Sequence, residues 1–338
     1  MAEPIIAVTL GDPAGVGPEV VVRALAGERP VPCRPVAIGS RRVAERALTT
    51  CHLSTPLRAV DSPAQASGEA GAIELIDLDN VDVASLEMGR IQAQCGRAAF
   101  EAIERAARLA LGGEVDAVAT APINKESLRA AGVPYLDHTA IFGALAGVDD
   151  PLTMFETRGL RVFFLTRHVP LYRVSELITR ERLLDYFVRC LDALQRIGLG
   201  GGTLAVAALN PHGGEGGMFG DEEREQLAPA VAEARSKGLP VEGPVPADSV
   251  FHLAHLGRFA AVLSLYHDQG HIATKTLDFE RTVAITHGLP FLRTSVDHGT
   301  AFDIAGTGQA SAISMVEAIA AAARYAWPVS AGNAGGPR

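Results

Sequence analysis

Short apolar runs recur along this chain, and each breaks off into a loop of glycines or polar residues before a helical stretch begins. Ile5-Ile6-Ala7-Val8-Thr9-Leu10 opens the pattern, and Asp116 to Thr120, Arg161 to Thr166, Thr203 to Asn210 and Ala261 to Tyr266 repeat it. Runs this short and apolar read as strands, and strands alternating with helices read as βα units on a parallel sheet. The expected fold class is α/β. At 338 residues the chain has room for two modest domains or one large α/β unit.

Helices are expected over Val20 to Ala26, Met88 to Leu111, Arg180 to Gly198 and Glu222 to Lys237, where apolar residues return at helical spacing. Leu152 to Thr166 reads as a hairpin. Val241 to Asp248, with Gly243, Pro244 and Pro246, reads as a loop of turn formers. The glycine-rich stretch from Gly11 to Glu19 lacks the closing Lys-Ser/Thr of a phosphate-binding loop, so it reads as a tight βα connection with Pro18 in the first helical turn.

Composition narrows the function. A net charge of -9 gives no basic stripe for nucleic acid. Cys33, Cys51, Cys95 and Cys190 show no CxxC spacing, so they read as reduced thiols rather than a disulfide framework or a zinc ribbon. No apolar run approaches membrane-spanning length, and the opening Met-Ala-Glu-Pro lacks the features of a signal peptide. The expectation is a cytoplasmic protein that binds neither nucleic acid nor membrane.

His168, His212 and His267 each sit one or two residues past an apolar run. On a parallel sheet those run ends share the edge where α/β sheets bind ligands. Neutral imidazole is the commonest protein ligand for a divalent transition metal, so the three are expected to converge on one ion. Lys125 follows another strand exit, and Asp248 stands in the turn-rich loop. Lys275 and Arg293 read as an anion site, Arg293 supplying a planar fork of donors, whereas Arg281 beside Glu280 reads as surface charge. The loop from Val296 to Ala310 holds Asp297, His298, Gly299, Thr300, Asp303 and Gly306. Acids in such a loop accept bonds from a ribose hydroxyl, while backbone amides face a pyrophosphate or adenine.

Taken in order, GDPAGVGPE, TAPINKE, DHT, NPHGGEGGMFG, YHDQGH and RTSVDHGTAFDIAG resemble the 4-hydroxythreonine-4-phosphate dehydrogenase family of vitamin B6 and pyridoxal phosphate biosynthesis, over residues 7 to about 315. HGTAFDIAGTG also resembles the NAD-binding loop of the isocitrate and isopropylmalate dehydrogenases, whose fold is related. The resemblance implies a homodimer with two α/β domains per subunit and an active site in the cleft between them, shared across the dimer interface. Residues 1–135 with 292–338 are expected to form the cofactor-side domain, and residues 136–291 the domain of the metal ligands and the dimer interface. It implies further that His168, His212 and His267 hold one divalent ion (Zn, Mg, Co or Mn), with one ligand crossing the interface. His138, Thr139, Lys275 and Arg293 are the implied contacts to a small phosphorylated substrate, and the Asp297 to Gly306 residues the implied site for NAD or NADP.

Three departures bear on the substrate. Ala284 stands where the family usually has an Asn, Asp137-His138-Thr139-Ala140 replaces Gly-His-Thr-Glu, and His271-Ile272-Ala273-Thr274 replaces Gly-Leu-Ile-Pro. HIATKT and FERT resemble a branch acting on D-threonate or D-erythronate 4-phosphate.

Either substrate presents a C1 carboxylate, a C3 hydroxyl and a C4 phosphate. The expected reaction is NAD(P)- and metal-dependent oxidation at C3 followed by decarboxylation, which gives dihydroxyacetone phosphate in the D-threonate branch. Lys125 and Asp248 are the expected acid-base groups, with Lys125 favoured where desolvation lowers its pKa. A metal-dependent phosphatase, or a ligand sensor without turnover, would use the same histidines and anion pocket but form no NADH.

Overall fold

The computed structural model describes residues 3–326. Its strands are β1 (Ile5–Thr9), β2 (Arg34–Gly39), β3 (Leu57–Ala59), β4 (Ile73–Asp77), β5 (Ala117–Thr120), β6 (Leu152–Thr157), β7 (Leu160–Phe164), β8 (Leu204–Ala207), β9 (Val241–Val245), β10 (Ala261–Ser264), β11 (Val283–His287) and β12 (Leu292–Val296). The α/β expectation holds. The chain divides into two compact units, Met1–Pro151 with Val283–Arg338, and Leu152–Thr282.

In the first unit the strand order is β3-β4-β2-β1-β5-β12-β11. All neighbours run parallel except β11, which is antiparallel to β12. Ile6, Ala7, Val8, Ala117, Val118 and Ala119 are fully buried, as strands covered on both faces require. The helix Ala93–Leu111 lays Ala102, Ile103, Ala106 and Ala110 into the same core as Phe142 and Phe291, whose rings meet edge to face at 5.9 Å.

That core moves the expected boundaries. The helix His138–Ala146 belongs to the first unit because Ile141 and Phe142 are buried in its core, and β11 belongs there because it pairs with β12.

The second unit has the order β6-β7-β10-β8-β9. The β6–β7 pair is the expected hairpin, and β7, β10, β8 and β9 run parallel. The exits of β7, β8 and β10, after which His168, His212 and His267 follow, therefore share one edge of this sheet. Val241–Val245 corrects a sequence expectation: it is a strand, not a loop. It lies at the sheet edge, where Pro244 removes no ladder bond that an inner neighbour needs.

Two helices also start differently from expectation. The run from Met88 becomes helical only at Ala93, because Gly89 is left-handed (φ +70°) and packs so tightly that a Cβ would stand 2.4 Å from the Phe302 carbonyl oxygen. The Glu222 stretch opens with a π-helical turn, Glu223–Leu227, before the α-helix Ala228–Ser236. Among the described residues no helix is long and apolar enough to cross a membrane.

Gly96 shows how closely the first unit is packed. A Cβ there would lie 2.0 Å from the Ser127 carbonyl oxygen on the helix Lys125–Ala130. Alanine is the better helix former by about 1 kcal/mol, but backbone cannot yield to it here. Gly96→Ala is expected to lower stability by about 1–3 kcal/mol in urea denaturation; a raised midpoint would contradict this packing.

Candidate active site

In the first unit the chemistry gathers where the Arg293 side chain, from the start of β12, reaches the end of β5. Arg293 on β12 is 4% exposed, and all its hydrogen bonds go to hydroxyls. Nε and Nη2 donate to Thr120 Oγ1 at 3.1 and 2.7 Å, and Nη1 donates to Thr286 Oγ1 at 3.1 Å. Thr120 Oγ1 itself donates to the Thr294 carbonyl at 3.2 Å, which uses its one proton while it accepts from the guanidinium. The guanidinium carbon also lies 5.8 Å from the centre of the Phe142 ring. Burial pulls the Arg293 pKa down to about 9, against the opposing charge of Asp137, so it stays cationic at neutral pH. No carboxylate forms an ion pair with it among the described residues. A buried charge without a counter-charge is costly, and an incoming anion offsets that cost.

His138 opens the helix His138–Ala146, whose first turn is capped by Asp137 Oδ1 accepting from the Ala140 amide at 2.9 Å. Its Nε2 is sealed from solvent and has no hydrogen-bond partner among the described residues. Burial and then the Arg293 charge hold its pKa well below the ordinary value, while a backbone bond with Ala121 pulls the other way. At neutral pH it is a neutral imidazole beside a cation, with one ring nitrogen left without a hydrogen-bond partner among the described residues. Thr139 follows it, half-buried. Lys125 is the first residue of the helix capped by Asn124, and it is exposed, so the dry setting that favoured it as a base is not found in this unit.

Ala284 lies on β11 opposite Ser295, two residues before Thr286, which is opposite Arg293. Alternation puts Ala284 and Thr286 on one face of the strand, the face on which Thr286 meets the guanidinium. Ala284 thus presents only a methyl group on that face.

The loop from Asp297 onward packs against the turn after β1. The Val16 amide donates to the Thr300 carbonyl at 2.9 Å, and a Cβ on Gly15 would stand 2.8 Å from Thr300 Cβ. Asp303 and Gly306 are exposed, Asp297 and His298 half-buried, and Gly299 exposed.

In the second unit the His168 and His267 rings lie 5.9 Å apart, centre to centre. Two imidazoles bound to one ion at about 2.0–2.1 Å can take such a spacing, so this pair fits a cation. His267 begins the helix His267–Leu277, and its Nδ1 is 2.6 Å from Asp268 Oδ1. His271, one helical turn on, stacks on His267 at 4.1 Å and touches Phe155 and Phe164 at 4.3 and 4.8 Å. Burial first, then the charges of His267 and Lys275, bring the His271 pKa to about 4, so it is neutral. Lys275 continues the same helical face and lies 5.0 Å over the Phe279 ring.

His212 sits in a loop of left-handed residues, with φ of 54° at His212 and 69° at Gly213. Two buried side chains lock the base of that loop. Glu223 Oε1 accepts from the Leu209 and Asn210 amides at 2.8 and 2.7 Å, and its Oε2 accepts from Asn210 Nδ2 at 2.8 Å. Gln269 Oε1 accepts from the Leu265 amide at 2.7 Å, while Nε2 donates to the Ala208 carbonyl at 2.7 Å, tying the β8 and β10 exits together. Among the described residues no group of three or more His, Cys, Asp or Glu is arranged to hold a metal, so His212 does not join His168 and His267 as a third ligand within one chain. Asp248 is exposed in the first turn of the helix Ala247–His255 rather than in a loop.

Thr120, Thr286, Glu223, Gln269 and His271 escaped the sequence reading as site residues. His271 carried a legible signal, its helical spacing from His267; Thr120 and Gln269 act through partners 173 and 61 residues away, and Thr286 and Glu223 through bonds made across a turn.

Several comparisons with known proteins bear on this arrangement. The family model described as "Pyridoxal phosphate biosynthetic protein PdxA" matches residues 31–322. A Clostridium botulinum (strain Langeland) protein, provisionally named a D-threonate 4-phosphate dehydrogenase, is 56% identical over 96% of this chain and 97% of its own. A Symbiobacterium thermophilum protein with the same provisional name is 58% identical over the same shares. The crystal structure of 4-hydroxythreonine-4-phosphate dehydrogenase from Klebsiella pneumoniae is 42% identical, with a TM-score of 0.89 over 96% of this chain and 99% of that one.

The neutral His138 makes a pH prediction. Its folded pKa lies below the unfolded value of about 6.5, so the unfolded chain binds more protons and stability falls as pH drops through that value. The slope below about pH 6.5 should be shallower in His138→Gln by up to about 1.4 kcal/mol per pH unit in urea titrations. Equal slopes would mean that His138 titrates normally.

Proposed function

Because the chain belongs to the family of the pyridoxal phosphate biosynthetic protein PdxA and is a dehydrogenase acting on a hydroxyl group, we propose that it oxidises a 4-phosphorylated 3-hydroxy acid with a hydroxyl at C2, such as D-threonate 4-phosphate. The observation that carries this reading is Arg293, a buried cation whose hydrogen bonds go to hydroxyls and which forms no ion pair among the described residues. An anionic group of the substrate supplies the counter-charge. The neutral His138 next to it spends its one ring proton on the backbone bond with Ala121, so Nε2 accepts one bond from a substrate hydroxyl, which orients the acid without adding charge.

The preference for a C2 hydroxyl has two supports. Relatives at 56% and 58% identity carry the D-threonate name, against 42% for the hydroxythreonine phosphate enzyme. Ala284 also puts a methyl on the Thr286 face of β11, and a methyl cannot accept a bond from a substrate ammonium group. The family name and the solved structure support 4-hydroxythreonine 4-phosphate as the second reading.

When bound, a nicotinamide dinucleotide takes the hydride from C3 and a divalent ion serves as Lewis acid for the reacting oxygens. His168 and His267 would hold that ion, and His212 of a second copy would complete the set in a homodimer. Leu171 and Tyr172 just after His168, and Met218 and Phe219 just after His212, are exposed, and Tyr172 at 79% is the most open of them. Apolar groups in those places suit burial against a second copy. Lys275 adds positive charge to the His267 helix. Asp297, His298, Gly299, Thr300, Asp303 and Gly306 would line the dinucleotide site. Loss of the hydride and the C3 hydroxyl proton gives a 3-oxo acid. Its carboxylate leaves as carbon dioxide, the bonding pair moves toward C2 and the oxo group, and a proton is returned to C2. Lys125 and Asp248, both exposed, are the groups proposed to carry those protons.

Initial rates of NADH formation should favour D-threonate 4-phosphate over 4-phosphohydroxy-L-threonine by at least about tenfold in kcat/KM, or 1.4 kcal/mol. The reverse preference restores the second reading, and phosphate release without NADH means a phosphatase. Chelation should abolish turnover. Arg293→Met should cost about a hundredfold or more in kcat/KM while the melting temperature does not fall, since the substitution removes an unpaired buried charge. Near-normal turnover in that variant would overturn the anion assignment.

A further inference from the structure

Glu19, in the first turn of the helix Gly17–Ala26, is only 2% exposed, yet no step proposed above uses it. Its carboxylate reaches the far end of the sequence. Oε1 accepts from the Gly306 amide at 2.6 Å and Oε2 from the Gly308 amide at 2.8 Å. Both glycines are left-handed, with φ of +83° and +70°. A Cβ on Gly308 would stand 2.5 Å from the Thr50 carbonyl oxygen, so the backbone has come as close as glycine permits. Arg23, one helical turn on, donates from Nη2 to the Gly308 carbonyl. The start of the loop is held by the same turn and helix, through Gly15 and Val16 against Thr300.

Two neighbouring amides bonded to one carboxylate are not available to a phosphate. Of the backbone amides expected here to face a pyrophosphate or adenine, those of Gly306 and Gly308 meet an internal anion instead. What the clamp fixes is the course of the loop between Thr300 and Gly308, where Asp303 is exposed.

We infer that Glu19 is a positioning residue for a nicotinamide dinucleotide, holding the loop Asp297–Gly308 in its binding form through the Gly306 and Gly308 amides. The inference rests on the reading of that loop as the dinucleotide site. Glu19→Gln turns one acceptor oxygen into a donor facing an amide N–H, so the loop must release at least one of the two bonds.

Glu74 gives a matched control in the same unit. It too is buried and accepts from two successive amides, Ser67 at 2.8 Å and Gly68 at 2.9 Å, but none of its bonds goes to the Asp297 loop. Titration of each protein with NADH, followed by its fluorescence, and steady-state kinetics in NAD separate positioning from general destabilisation. Glu19→Gln should raise the dinucleotide Kd and the KM for NAD by about tenfold, with the KM of the phosphorylated acid changed less than about twofold. Glu74→Gln should lower the melting temperature without moving either dinucleotide constant. Glu19→Asp, too short by one methylene to span both amides, should fall on the Glu19→Gln side. In the unaltered protein without dinucleotide, hydrogen exchange at the Gly306 and Gly308 amides should already be slow, a readout that no folding defect can obscure.

Unchanged NADH affinity in folded Glu19→Gln, an equal loss in Glu74→Gln, or fast exchange at both amides would overturn the proposal alone. Failure of the unaltered protein to bind NADH would overturn the dinucleotide reading, and the positioning role with it.

Discussion

The bond from Arg293 to Thr120 joins residues 173 positions apart, and the chemistry of the first unit depends on it. It exists because β5 pairs in parallel with both β1 and β12, which sets Thr120 opposite Ser295 and brings the end of one βα unit beside the start of the closing segment. Neutral hydroxyls satisfy the guanidinium's geometry without cancelling its charge. The same charge helps to keep His138 neutral, so one buried cation sets the electrostatics of its neighbour as well as its own.

The two units carry complementary chemistry. The first supplies a cation for an anionic ligand and a loop seated on the glycine-rich turn after β1; the second supplies paired imidazoles at a common strand edge. In each unit, buried carboxylates and amides fix the backbone near the functional side chains rather than forming conspicuous ion pairs. Glu19 does so for Gly306 and Gly308, Glu223 for Leu209 and Asn210, and Gln269 for Leu265 and Ala208. Such bonds are strong where water is excluded, and they let glycine-rich loops keep one course.

Much of this was legible in the sequence because it follows from strand ends. The apolar runs before His168, His212 and His267 are strands of one sheet, and the run before Lys125 is β5. The site groups that depend on long-range partners were not legible: nothing in the local sequence of Thr120 or Thr286 tells that a guanidinium will lie between them. Val241–Val245 was misread because its Gly and Pro look like a loop, whereas an edge strand tolerates them. The domain boundary shifted because Phe142 is buried with Phe291, a packing fact that no motif encodes.

Arg293 is buried with hydroxyl partners and no ion pair among the described residues, which leaves its charge for a phosphorylated hydroxy acid to meet. A crystal structure of the protein with D-threonate 4-phosphate and NADH tests this most directly. A phosphate or carboxylate oxygen is expected within about 3 Å of the Arg293 guanidinium, with His138 Nε2 bonded to the same molecule. A bound acid that leaves Arg293 with only Thr120 and Thr286 as partners would contradict it.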